Sequence, residues 1–523
     1  MAGHSRFGIS FLFEFIEEKC SILRDAVYSR FTILLAFHLL IVILRILYVQ
    51  WSSLEIYSEE AQYWIWSRHL QLSYYSKPPL IAYLNWFSTS LLGNTPLGIR
   101  INAILVGFGI AMTCYYLTLE LFHNRRTATI ASFLSYVLPF IWLPSSFFTT
   151  DSPLLLFWLL SLFLFWRAVN NNFMKNWIYF GICLGLGIIS KYSILLILPC
   201  LFVFLLRSHS HVFRSRKLYV GVSIGLLFFL PVVIWNIKND FVGLRHVQYL
   251  AGNTKEAVQI EKLAFNFLEY IFGQIVILSP FFIGFYIKIL KSWIHKQLSD
   301  EMVYLILPGI MVFFVFMPIA FVRRSGVEVN WPMFAYATIP VALAHWAVTG
   351  KKTGRLGAGA AATFMLVLLI TNLSVLDKVG IQKIIHVKLD PTSRLAGWKS
   401  LAQHVDSLKR RIPSTNCFVF SNNYHISSEM QFYLEEQPAT YFLNYNNRMN
   451  QFSLWPGLEQ FVNKKYYGIF ISTTPIKDKL KDSFEEIGSF TTRKTLYRGT
   501  EINNFNIYVL KDFKGFEENN SHY

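Results

Sequence analysis

The sequence predicts a polytopic α-helical membrane protein with a small soluble α/β domain at its C-terminal end. Three observations carry this. Hydrophobic residues make up 54% of the 523 and charged residues only 15%, where a soluble domain usually carries about 25% charge. Apolar runs recur from about residue 31 to residue 376, separated by short basic or mixed loops. Composition then turns polar, and β-type runs alternate with amphipathic stretches to the end of the chain. The expected division is a transmembrane domain over 1–376 and an α/β domain over 377–523.

Apolar segments fall at roughly 31–50, 97–119, 127–143, 153–169, 177–190, 193–207, 218–236, 263–290, 301–321, 331–348 and 356–376. That makes about eleven spans, several shorter than the ~20 residues of a straight crossing. Residues 80–92, LIAYLNWFSTSLL, are too short to cross and are expected in the interface or as a re-entrant segment. With the N-terminus in the cytoplasm, the inner loops are 120–127, 167–176, 207–217, 288–300 and 349–355. Each is basic, through Arg125 and Arg126, Arg167 and Lys175, Arg207 to Lys217, Lys288 to Lys296, and Lys351 to Arg355. Positive loops belong inside, and one missed span would invert every loop after it. Residues 51–96, 144–152, 190–192, 237–262, 322–330 and those after 377 then face outward, which in a bacterial cell is the periplasmic side of the inner membrane. Some cations stand there against the rule, among them Lys77, Lys191, Arg245, Arg323 and Arg324. An anionic ligand at the outer surface would account for them.

The same loop placement explains the net charge of +17, so nucleic acid is not expected as a partner. Of the five cysteines, Cys114, Cys183 and Cys200 lie in apolar runs and only Cys417 lies in the C-terminal part. No disulfide can form within that part, and cysteine usage does not fix the compartment. Residues 1–30, with Arg6, Lys19, Arg24 and Arg30, show no cleavable signal pattern. In the C-terminal part, CFVFS (417–421), YYGIFIS (466–472) and NIYVL (506–510) read as strands, and 397–411 and 426–436 as helices.

Four groups of residues could carry chemistry on the outer face. Glu59 and Glu60 follow the first span directly, where a carboxylate can stay ionised and take a proton from a hydroxyl; solvated loop charge is the alternative. Asp151, in Thr149-Thr150-Asp151-Ser152-Pro153, opens a span and could simply cap it. It shares a face with Glu59, which capping does not require. Lys77 and Lys191, with Arg245 and Arg324, could bind a phosphate or diphosphate, against snorkelling to the interface as the plain reading. The loop WNIKNDFVGLRHVQY (235–249) joins Asn236, Asp240, Arg245 and His246 to aromatics, which suits sugar recognition. No His spacing suggests a metal, and no GxGxxG or Walker motif is present. Neither metal nor cofactor is expected.

The series SEEAQYWIWSRHL, YYSKPPLIAYL, Gly98-Ile99-Arg100, TTDSPLLLFW, SKYSILLILP, WNIKNDFVGLRHVQY and NWPMFAY resembles one family. It is the bacterial branch of the dolichyl-phosphate-mannose protein mannosyltransferase superfamily, including the aminoarabinose lipid A transferases, with the membrane glycosyltransferase C fold. The resemblance covers about residues 56 to 350. SNNYHISSEMQFYL and NRMNQFSLWP also look like the outer domain of some members. The resemblance implies a polyprenyl-phosphate-linked sugar as donor and inverting transfer to a glycolipid, lipopolysaccharide or surface glycan. Protein O-mannosyl transfer is the alternative within the class, and a transporter the alternative outside it. A transporter would place charges near mid-span and often shows inverted repeats, whereas few charges and no repeat are seen. A receptor or scaffold would need only one or two spans.

Carried over by motif, Glu59 stands where the family has its catalytic Asp and Glu60 where it has Glu. Asp151 matches the second acidic residue, and Lys77 the cation before proline that contacts lipid phosphate. Lys191 offers a further phosphate contact. Tyr63, Tyr75, Tyr192, Asn330 and Trp331 sit in the same motifs as candidate substrate contacts. Gln62 stands where the aminoarabinose enzymes carry Arg.

Overall fold

A computed structural model describes residues 31–250, 260–322, 328–373, 387, 390–413, 416–445 and 448–518. Residues 1–30, Arg323, Arg324 and the expected domain boundary near 376 lie outside the described residues. The chain is mostly helical up to Thr371, with a sheet-containing domain after it.

The first long helix, α1 (Phe31–Trp51), precedes the loop that holds the glutamates. Within that loop lie α2 (Ser58–Arg68) and α3 (Leu80–Leu92). Then follow α4 (Pro96–Phe122), α5 (Arg125–Leu134), α6 (Pro139–Trp142), α7 (Asp151–Asn171) and α8 (Met174–Ile188). After a 3-10 turn at Tyr192–Leu196 come α9 (Ile197–Ser208), α10 (Arg216–Leu227), α11 (Leu230–Lys238) and α12 (Val242–Leu250). The helical part closes with α13 (Ile260–Leu278), α14 (Ile283–Ile294), α15 (Asp300–Val322), α16 (Ile339–Thr349) and α17 (Thr353–Thr371).

Six helices among the described residues are long and apolar enough to cross a membrane, or seven if one bent pair counts as a span. The expected count of about eleven spans is therefore not confirmed. The run 127–143 splits because Leu138, before Pro139, is held extended (φ −71°, ψ 130°), as the residue before proline prefers. The run 263–290 bends by 79° between its halves, where Ser279 takes a positive φ of 72° ahead of Pro280. The segment 331–348 begins as a 3-10 turn at Met333–Tyr336 before α16 starts. Large apolar side chains such as Phe87, Leu91, Leu105 and Phe272 remain exposed on these helices, as a lipid-facing surface allows.

Inside, Trp158 of α7 packs edge-on against Phe334, with ring centroids 4.8 Å apart. Close helix packing depends on small residues. A Cβ on Gly181 of α8 would run into the Gly221 carbonyl and the Ile224 side chain of α10.

The C-terminal domain contains α18 (Trp398–Lys409), β1 (Cys417–Ser421), α19 (Tyr424–Tyr433), β2 (Thr440–Phe442), β3 (Tyr467–Ser472), α20 (Asp478–Lys481), β4 (Phe484–Tyr497) and β5 (Thr500–Phe513). The sheet order is β2-β1-β3-β5-β4. β1 runs parallel to β2 and β3, and the β4–β5 hairpin adds on antiparallel to β3. Arg498 and Gly499 at its tip both have positive φ, 51° and 74°, as a two-residue type I′ turn requires. The three expected strands and two expected helices are present. β2 and β4 were not expected: β2 has three residues, and β4 is largely exposed, so neither shows a sustained apolar run.

This domain packs onto the loop after α1. Trp64 of α2 meets Phe432 of α19 edge-on at 5.1 Å. The Ile56 amide donates to the Tyr433 hydroxyl at 2.7 Å, the Trp398 amide to Glu55 at 2.6 Å, and the Tyr75 amide to Gln451 at 2.7 Å.

Candidate active site

Helix α2 presents its two glutamates to different surroundings. Glu60, three residues beyond Tyr57, reaches back to accept the Tyr57 amide at 2.9 Å, the backward half of a capping box. Its carboxylate is fully buried and pairs with Arg100 of α4 at 2.9 Å. It also accepts the Phe148 amide at 2.9 Å. Arg100 spends a further N–H on the Glu55 carbonyl at 2.7 Å. Glu60 is thus tied on every side by protein groups, and it fastens α2, α4 and the segment before α7 together.

Glu59, one residue earlier, points to a different neighbourhood. Its carboxylate accepts the Tyr63 hydroxyl at 3.3 Å. Burial lifts its carboxyl above the usual carboxylate range; Lys77 and Lys191 oppose the rise, and Asp151 and Glu328 add to it. Lys77 is held below the usual lysine range, by burial first and then by Lys191, against Glu59, Asp151 and Glu328. Residues from five separate stretches therefore share one electrostatic centre. Among the described residues no ion pair holds Lys77.

Asp151 is not a cap. Thr150 is the residue preceding the helix, and Asp151 is the first helical one. Its two oxygens go instead to Lys191 at 2.6 Å and to the Asn330 amide nitrogen at 3.0 Å. Lys191 can reach it because the chain turns sharply between α8 and the following 3-10 helix.

Tyr75 is buried against His246, ring centroids 5.0 Å apart. Tyr192 packs edge-on against Phe229 at 5.8 Å, and Trp331 against Phe316 at 5.9 Å. Asn236, a candidate sugar contact, is engaged within the fold. Its side chain donates to the Val232 carbonyl at 3.0 Å and accepts the Leu244 amide at 3.2 Å, so both ends serve the turn between α11 and α12. Asp240 and Arg245 are exposed, and no distance ties them to the Glu59 centre. Arg324 lies outside the described residues.

Sequence reasoning gave no role to three residues. Glu328 was legible as a carboxylate two positions before Asn330. The Arg100 partnership was hidden because Glu60 lies 40 positions away. Glu429 of α19, fully buried beside Ser58 of α2, gave no signal.

The helical part and the sheet-containing domain after it have counterparts among known proteins. A family model described as dolichyl-phosphate-mannose-protein mannosyltransferase matches residues 76–235. The lipid A galacturonosyltransferase RgtD of Rhizobium johnstonii is 25% identical over 314 residues, 59% of this chain and 61% of that one. The undecaprenyl phosphate-α-4-amino-4-deoxy-L-arabinose arabinosyl transferase 2 of Proteus mirabilis is 24% identical over 204 residues, 36% of each chain. The matched region thus spans less than two thirds of these relatives. The crystal structure of apo ArnT from Cupriavidus metallidurans aligns with a TM-score of 0.60 at 11% identity, covering 94% of this chain and 99% of that one. The same protein bound to undecaprenyl phosphate also aligns at 0.60. The chain resembles the bacterial mannosyltransferase-like branch in sequence and has the ArnT fold.

Proposed function

We propose that this protein is an inverting glycosyltransferase. It moves a sugar from a polyprenyl-phosphate donor to a glycolipid, lipopolysaccharide or surface-glycan acceptor at the outer face of a bacterial inner membrane. The observation that carries this is the Glu59 centre: a carboxylate lifted by burial, set among Lys77, Lys191 and Asp151. The names of the sequence relatives support it, since they transfer galacturonosyl or arabinosyl groups, on lipid A in one case. The ArnT crystal form that binds undecaprenyl phosphate supports a lipid-phosphate donor.

In this reading the donor phosphate lies between Lys77 and Lys191. Glu59 takes the proton of the acceptor hydroxyl. The oxygen attacks the anomeric carbon from the face opposite the phosphate, the anomeric C–O bond to phosphate breaks, and polyprenyl phosphate leaves. Lys77, which no ion pair neutralises among the described residues, balances the charge that develops on the leaving group. Asp151 holds Lys191 at 2.6 Å and acts as its positioning partner. Glu60 keeps α2 in place through Arg100. We place the N-terminus in the cytoplasm and the domain 377–523 in the periplasm. We also retain about eleven crossings, the interrupted helices traversing in pieces, because the basic loops alternate correctly only on that count.

The test is mass spectrometry of envelope glycolipids from cells with and without the gene, complemented by wild type or by Glu59→Gln. Loss of one sugar mass, restored by wild type alone, supports the reading and names the acceptor class. Unchanged glycolipids with an altered glycoprotein would shift the acceptor to protein, which the family model's description favours. Unchanged glycolipids and glycoproteins would remove the transferase reading.

A further inference from the structure

A cavity of about 370 Å³ opens where the C-terminal domain faces helix α12. It lies at the carboxyl ends of the parallel strands β1 and β2, the usual ligand position in a sheet of this kind. Asn422 and Asn423 follow β1, Phe442 ends β2, and Tyr249 closes the cavity from α12.

Its lining has a definite chemistry. Arg448 is its cation and lies over the Tyr249 ring at 5.7 Å from the centroid. No carboxylate is among the described lining residues. The N-terminus of α19, capped by Asn423, also borders the cavity, and a helix N-terminus favours negative charge. A second observation is independent of the helix. Asn450 is 6% exposed, and its amide Nδ2 has no hydrogen-bond partner among the described residues, although its oxygen caps the turn at Phe452. His425 Nδ1 likewise lacks one. Burial lowers the His425 imidazole to about 4, so at neutral pH it offers uncharged hydrogen bonding. Buried donors without partners are costly, and a ligand would supply the missing acceptors.

We infer that this cavity binds an anionic saccharide, a sugar ring bearing a phosphate or carboxylate. The anion sits between Arg448 and the start of α19, the hydroxyls meet Asn450 and His425, and the ring lies against Tyr424 and Tyr249. The Tyr424 hydroxyl senses the charge of Glu59, so the cavity and the Glu59 centre are neighbours. Resting on the transferase reading, the saccharide belongs either to the acceptor glycan or to the sugar of the donor.

The test uses the full chain in detergent micelles. Saturation-transfer NMR with glucosamine 1-phosphate and galacturonic acid is compared with glucosamine and galactose. The charged probes should bind about tenfold or more tightly than the neutral ones. Arg448→Ala and Asn450→Asp should each remove that preference; the first residue is exposed, and the second change keeps the capping oxygen. Equal binding of charged and neutral probes, or a preference unaltered in both variants, would overturn the assignment. Kinetics then separate the sources. A raised acceptor KM in the variants assigns the site to the acceptor, and a raised donor KM assigns it to the donor sugar. Unaltered values of both overturn its place in transfer. Because the probes need no turnover, failure of the transferase reading would leave probe binding intact, and failure here would leave the Glu59→Gln result intact.

Discussion

Adjacent glutamates with identical chemistry are separated by what surrounds them. Glu59→Gln should lower kcat by about 10²–10⁴-fold, the usual contribution of a general base, while polyprenyl phosphate still binds. Turnover in reconstituted vesicles, with donor binding followed by fluorescence, checks both halves; unchanged turnover moves the base elsewhere. Because the Glu59 carboxyl is raised, it loses its negative charge as pH falls through a value above the ordinary ~4.3 of Glu. The acid limb of the kcat/KM profile should therefore lie above that value. Lys77 is lowered, so the alkaline limb should fall below the ordinary ~10.4 of Lys. Glu60 behaves otherwise. Glu60→Ala leaves Arg100 charged and buried, which costs about 3–5 kcal/mol and should show as a large drop in Tm. Lost turnover at an unchanged Tm would instead give Glu60 a part in chemistry.

At the level of elements, packing between helices decides more than their hydropathy. Where α8 crosses α10, Gly181 lies against the Gly221 backbone. Gly181→Ala should destabilise the membrane part by about 1–3 kcal/mol, as overpacking does, read as lower thermal stability in detergent with the Glu59 centre untouched. Retained stability would mean the two helices can separate at small cost. The long apolar helices α4, α7 and α15 were readable because continuous hydropathy is a strong signal. The breaks at Pro139 and Pro280 were less so, since proline also occurs within membrane helices, as Pro308 and Pro318 do in α15. In the C-terminal domain β1, β3 and part of β5 were legible as apolar runs. The exposed β4 was not, because its place is set by pairing with β5.

Over the whole molecule, the C-terminal domain is seated on α2 through α19, and Glu429 lies in that seam. Burial holds its carboxyl well above the usual range; Glu55 and Glu60 add to the rise, and Ser58 and Arg100 oppose it. Tyr433 also feels its charge. Raised in the folded state, Glu429 stabilises the docked arrangement as the neutral acid, and that contribution is lost as pH rises from the ordinary carboxylate range through its own value. Hydrogen exchange of α2 and α19 should therefore quicken with pH beyond the intrinsic rate change, and Glu429→Gln should flatten that excess. An excess equal to wild type in the variant would place the titrating group elsewhere.

Taken alone, the chain order carried the membrane class, the carboxylates after the first apolar helix and the cations Lys77 and Lys191, because hydropathy and charge are local properties read along the sequence. The difference in surroundings between Glu59 and Glu60 was not legible there. It depends on Arg100, 40 positions on, and on an electrostatic centre assembled from Lys77, Asp151, Lys191 and Glu328. Asp151 likewise read equally well as a helix cap until folding brought Lys191 and Asn330 against it. Burial and long-range partners set what a carboxylate can do, and both come into being when the helices pack and the C-terminal domain closes over α2.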